Sequence, residues 1–177
     1  MKNFAFILIS LLISLTAAAG ALDLSAGKVD KYTTFPMKDG YLKKDEGKVL
    51  YFKTPSEREP YRVVINNGVV YSAAAKTQIA DTPEVDQHDT QTYVMDSAGN
   101  FYLFNEFQTP NIRHSSIFAG GQVASAGEIR VKSGKILMIN ADSGHYFNLT
   151  GNGKTALQNA MRELSSRGVD TDKVKDK

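Results

Sequence analysis

His114 and His145 stand 31 positions apart, and each sits among hydroxyls and small residues, in Arg113-His114-Ser115-Ser116 and Ser143-Gly144-His145-Tyr146. Between them lies the small-residue run Ala119-Gly120-Gly121, then Val123-Ala124-Ser125-Ala126-Gly127-Glu128. An imidazole beside a serine, with Asp142 or Glu128 to orient it, is the raw material of a hydrolase triad. The Gly-x-Ser-x-Gly elbow that would present such a nucleophile is absent. The same residue types also suit a bracing role, in which hydroxyls satisfy turn amides and each imidazole ties a loop to a carbonyl. As a binding cluster, His114, Ser115, Ser116, Gly120, Gly121, Ser143, His145 and Tyr146 would favour an anion, another polar ligand or a protein partner, because glycine leaves backbone amides open.

A second chemistry is written in the order Arg62, Ser116, Glu128. That order resembles the skeleton of mono-ADP-ribosyltransferases. There an arginine orients NAD, a serine holds the ribose side and a glutamate stabilises developing positive charge. Ser116 and Glu128 are close together for that family, and no Glu-x-Glu or Gln-x-Glu pair occurs. The NAD-using transferase is therefore the alternative to a binding module. His88 with Asp86 and Asp89 offers metal-ligand types in a polar loop without ligand spacing, so no metal site is expected. Gly151-Asn152-Gly153-Lys154-Thr155 lacks the earlier glycine of a phosphate loop and reads as a helix start. Eight tyrosines and nine phenylalanines, with no tryptophan, read as core rather than as a sugar-stacking platform.

These residues need a scaffold, and turn chemistry supplies most of it. Tyr61 to Ile65 and Val69 to Ser72 flank Asn66-Asn67-Gly68, a tight-hairpin signal. Tyr93 to Asp96 and Phe101 to Phe104 flank Ser97-Ala98-Gly99-Asn100, and Val123 to Val131 and Lys135 to Asn140 flank Ser133-Gly134. Val49 to Phe52 is a further strand candidate in the polar segment 22–60, and 80–91 reads as a loop. Helical period appears once, in Leu157, Ala160, Met161 and Leu164, with Thr150 or Asn152 to cap the start and Gly168 to stop it. Arg162, Glu163 and Arg167 are expected to face water, and Thr171 to Lys177 to fray. The sum is an α+β domain, an antiparallel twisted sheet or partly closed barrel with one C-terminal helix packed on it. The hairpin from Val123 to Asn140 should return the chain to its starting end, so the two histidine motifs should meet there.

The motifs also carry a family resemblance. His-Ser-Ser at 114–116, Ala-Gly-Gly at 119–121, Val-Ala-Ser-Ala-Gly at 123–127, Gly134-Lys135-Ile136, Ser143-Gly144-His145-Tyr146 and Gly168-Val169-Asp170 follow one another in an order that resembles the module of plant IQ-motif calmodulin-binding proteins, the IQM family. Similar modules occur in uncharacterised bacterial proteins, some of them toxin-like. The resemblance covers about residues 93–174. The plant proteins bind calmodulin through a separate IQ motif, and none occurs here, so calmodulin binding is not implied. Where related modules place proline after Gly-His-Tyr, this chain has Phe147-Asn148.

The start of the chain reads as an export signal. Met1-Lys2-Asn3 precedes an apolar run from Phe4 to Leu15, and Ala17-Ala18-Ala19 offers a cleavage site, with Ala21 as second choice. The expected organisation is a signal peptide over 1–19 and one secreted or periplasmic domain over 22–177. The run is too short to span a bilayer, for which about 20 residues are needed. The absence of cysteine excludes a lipid-anchored cysteine, disulfides and thiol chemistry. Twenty-one Lys and Arg against 19 Asp and Glu, interspersed along the chain, give no basic face for nucleic acid.

Overall fold

The computed structural model describes residues 30–75, 82, 89–147 and 151–176. The expected leader and most of the 80–91 loop, including Asp86 and His88, lie outside them.

Six strands form one sheet: β1 Arg62–Asn66, β2 Val69–Ser72, β3 Gln91–Met95, β4 Phe101–Phe104, β5 Ser125–Lys132 and β6 Lys135–Ile139. Their order across the sheet is β2-β1-β4-β3-β5-β6, and every neighbouring pair is antiparallel. The two outer hairpins close on turns that demand left-handed backbone. Asn67 and Gly68 have φ of 49° and 75°, and Ser133 and Gly134 have 49° and 73°, the signature of a turn whose twist matches its strands. The sheet curls until its edges approach: the Val70 amide donates to the Gly134 carbonyl at 2.8 Å, joining β2 to the β5–β6 turn. The expected partly closed barrel is therefore present.

Both faces of the central strands are covered, which explains runs such as Phe-Tyr-Leu-Phe that do not alternate with polar residues. On the concave face Tyr93, Met95, Phe101, Leu103, Ile129 and Val131 pack with Ala160 and Leu164 of the helix α3, Asn152–Ser166. On the other face Val94, Tyr102, Phe104 and Ala126 pack beneath Phe35, Phe52, Ile117, Val123 and Phe147. These last residues belong to the segments before β1, between β4 and β5, and after β6. They form an irregular layer, and it is this layer that carries the histidines. It includes two short helices, α1 Tyr41–Asp45 and α2 Pro55–Arg58, the second closed by a capping box between Thr54 and Glu57.

Five expectations change. Val49 to Phe52 is not a strand; the Leu50 and Phe52 amides donate to the Asn111 and Ser116 carbonyls, which lays the segment along the loop bearing His114. In α3, Ala160 and Leu164 are fully buried, whereas Leu157 and Met161 are only partly so. Its first residue follows Gly151 with no side-chain cap, although Gly168, at φ 84°, does terminate it. Glu163, expected in water, is buried, because Lys31, Tyr32 and Arg167 donate to its carboxylate at 2.7 Å each. The tail does not fray over 171–176: Val174 joins the core, and Lys175 exchanges backbone bonds with Leu137 and Ile139 beside β6.

Candidate functional site

The two histidine motifs meet in the irregular layer, with ring centroids 6.4 Å apart. A residue from far upstream joins them. Asp45 ends α1 and is its one buried residue. Its Oδ2 accepts from Ser115 Oγ at 2.7 Å and Tyr51 Oη at 2.9 Å, and its Oδ1 pairs with His145 Nε2 at 3.1 Å. Tyr41 lies one helical turn before Asp45, on the same face. Its ring meets the His145 ring edge-on at 5.1 Å. One face of α1 thus clamps His145, and the Lys38 amide fixes the His145 carbonyl at 2.9 Å.

Burial alone would raise the Asp45 carboxyl, but the hydrogen bonds from Ser115, Tyr51 and His145 outweigh it and hold it below its ordinary value. The ionised carboxylate can only accept, so His145 Nε2 carries the hydrogen that it donates. Tyr51 is pushed up to about 12 by burial and by its bond to Asp45. His114 is buried, and its Nε2 donates to the Gly127 carbonyl at 3.1 Å. Desolvation lowers His114 to about 4, so its ring is neutral at physiological pH.

The remaining predicted ligand residues are inside this frame. Ser115, Ser116 and Ser143 have no exposed surface. Ser116 Oγ accepts from the Arg113 amide at 2.9 Å, closing the turn around His114. Ser143 Oγ has no hydrogen-bond partner among the described residues. Tyr146 is buried and donates to the Gly121 carbonyl at 2.8 Å, which ties the second motif to the small-residue turn. Gly120, at φ 79°, is half-buried, and a side chain there would press against Leu42 and Met37. At Gly127 a side chain would collide with the Asn140 carbonyl, so the small residues of this run admit another stretch of backbone. Gly121 is exposed. His145, with 14% of its side chain exposed, is the imidazole that reaches solvent.

It does so in a cleft of about 470 Å³ between the end of α1 and the 110–113 segment. Asp45 and His145 form the floor, and Lys44, Lys48, Asn111 and Arg113 stand around it. None of these four was singled out by the sequence. Lys44 and Asp45 lie in the run Lys43-Lys44-Asp45-Glu46, which has the look of a solvated face; no local pattern sets Asp45 apart from Glu46.

Arg62, Ser116 and Glu128 are not brought together. Three inter-strand steps separate Arg62 on β1 from β5, or roughly 14 Å at the usual strand spacing. Arg62 forks onto Glu59, Ser116 is closed inside its turn, and the Glu128 amide donates to Asn140 Oδ1 at 2.9 Å. The Glu128 carboxylate accepts from Asn140 Nδ2 at 3.4 Å, so each of the three side chains is engaged locally. Asp89 pairs with Arg130, and among the described residues no three His, Asp or Glu side chains gather as a metal set. Among them, too, no helix is long and apolar enough to cross a membrane.

No curated protein and no solved structure matches the chain. A family model does match, that of the IQ motif-containing protein middle domain, over residues 57–152, or 96 of the 177. The matched stretch takes in all six strands and both histidine motifs and stops at the first residue of α3. It begins earlier than the expected 93–174 and leaves out α1 with Asp45. The chain belongs to the family of the IQ motif-containing protein middle domain.

Proposed function

We propose that the protein is an exported binding module, secreted or periplasmic, that receives a polar ligand or partner in the cleft over His145. In this reading the His/Ser cluster is the frame of the site rather than its surface. The observation that carries it is the clamp on His145. Asp45, Tyr41 and the Lys38 amide fix one partly exposed imidazole at the floor of a cleft. That is the pre-ordering a binding site uses. Export rests on the leader-like sequence of residues 1–21, and an effector role on the resemblance to toxin-like bacterial modules.

Two measurements test the reading. Mass spectrometry of the exported fraction should find a chain starting at Gly20, or at Leu22; an intact Met1 or a purely cytoplasmic pool refutes export. Amide and imidazole NMR of the exported protein, screened against small polar compounds, should show binders shifting His145, Lys48 and Arg113. Binders that move only residues elsewhere would refute the cleft.

A further inference from the structure

The cleft has an electrostatic character that goes beyond its shape. Lys44, Lys48 and Arg113 line it, and among the described residues Asp45 is its only acid. The Asp45 oxygens are already taken by Ser115, Tyr51 and His145. Elsewhere in the molecule Lys31, Arg62, Arg130, Arg167 and Lys173 are each paired with a carboxylate. Among the described residues Lys44, Lys48 and Arg113 are not; other cations such as Lys132 and Arg162 also lack a carboxylate partner, but these three line one cleft. Lys44 Nζ rests 4.4 Å from the centre of the Tyr41 ring, on the helix that clamps His145. Arg113 spends one donor on the Ile112 carbonyl at 2.9 Å and keeps the rest of its fork.

Three cations against the one charge of Asp45 leave a net positive lining around one concave spot, in a chain with a formal charge of only +2, and concentrate positive potential there. We infer that this cleft is an oxyanion site that takes the phosphate group of a small phosphorylated molecule or a lipid headgroup. Two lysine point charges and one arginine fork match a compact group carrying more than one negative charge. With Asp45 already answering one of the three cations, a single carboxylate would still leave one unanswered. The volume lies in the range of small-molecule sites. The inference rests on the cleft being the binding site, and it adds the class of ligand.

The test uses inorganic pyrophosphate and glycerol 3-phosphate as soluble probes, and phosphatidylglycerol vesicles as the lipid arm, at about 0.01 M salt, where charges are least screened. Pyrophosphate should shift the His145 and Arg113 resonances, and acetate should not. Lys44→Gln/Lys48→Gln should weaken binding by about tenfold or more, and Lys48→Arg should retain it. Both lysines are exposed, so the thermal midpoint of the double variant should be unchanged; Arg113→Gln gives a second, independent readout. Vesicle binding that the double variant abolishes, without soluble binding, assigns the phosphate to a lipid. Equal binding of every probe to native and variant protein, or none at all, overturns the inference. If a neutral compound still shifts His145, the binding-module reading survives that failure.

Discussion

Two of the three buried carboxylates among the described residues, Glu163 and Asp45, are satisfied in opposite ways. Glu163 on α3 receives Lys31, Tyr32 and Arg167, two of them cations. Asp45 on α1 receives Ser115, Tyr51 and His145, none of them a permanent charge. Each has one tyrosine pushed up to about 12, first by burial and then by its bond to the carboxylate. In each, burial opposes ionisation, the donors prevail, and the carboxyl lies below its ordinary value. At Glu163 the countercharge is on the bonds themselves, which makes the cluster a closed fastening between the helix and the N-terminal segment. At Asp45 the countercharge stands apart, on cations that line a cleft. The same burial of an acid yields a brace in one place and a candidate site in the other.

Removing each acid should separate the two most sharply. Glu163→Ala deletes the acceptor of three bonds and leaves Arg167 partly buried. We expect a loss of about 3–4 kcal/mol, mostly from Tyr32 and Arg167, since half-exposed Lys31 contributes little. Denaturant midpoints at constant m-value measure it; a loss under about 1 kcal/mol would mean that the fastening is decorative. Gly99 reports on the same cluster, because a Cβ there would sit 2.6 Å from the Glu163 carboxyl carbon.

Acid should strain the Asp45 side through His114. Its folded value of about 4 lies below the ordinary 6.5, so between these the unfolded chain binds a proton that the folded chain refuses. Stability from this source is complete above pH 6.5, falls by up to about 3 kcal/mol as pH drops to 4, and then levels off. The lowered Asp45 and Glu163 contribute stability that is present above their ordinary 3.8 and 4.5 and is lost as pH falls through their folded values. Urea midpoints from pH 7 to 4 should therefore slope steeply in the native protein. His114→Gln, whose amide can still donate to the Gly127 carbonyl, should flatten that window. An unchanged slope would place the titrating group elsewhere.

Asp45→Asn ranks next. One amide face must now meet donors, so one of the three bonds is lost or turned, at a cost of about 1–3 kcal/mol. Unlike Glu163→Ala it should also free the His145 ring, seen as altered imidazole shifts in NMR. Lost stability with an unmoved His145 would show that Tyr41 alone holds the ring.

The contrast between the two acids also marks where sequence reading works. Hairpins were legible because Asn67-Gly68 and Ser133-Gly134 specify their turns locally, and α3 because Ala160 and Leu164 repeat at its period. The meeting of the histidine motifs followed from the hairpin between them. Glu163 looked like a surface residue because its partners Lys31 and Tyr32 lie 132 and 131 positions away. Asp45 was hidden for the same reason, standing 70 positions from Ser115 and 100 from His145. A carboxylate in a charged run carries no mark of burial; only the packing of the irregular layer reveals it. The same packing turned most of the predicted ligand residues inward, because serine and glycine serve a tight turn as well as they serve a ligand.

The smallest effect on stability is the most informative about function. Lys48 is exposed and, among the described residues, has no carboxylate partner. Lys48→Gln should therefore change the unfolding free energy by no more than about 0.5 kcal/mol. Arg167→Gln, on the closed side, removes a charged donor from Glu163 and should cost about 1.5–3 kcal/mol. For a cation whose purpose is internal, stability carries the whole effect. For one left without a partner, stability is indifferent and the effect must appear in what the protein binds. Measured side by side, unfolding should register Arg167 and ignore Lys48, while pyrophosphate titration should register Lys48 and ignore Arg167. If Lys48→Gln destabilises the fold as much as Arg167→Gln, the cleft cations belong to the brace, and the distinction between the two acids collapses.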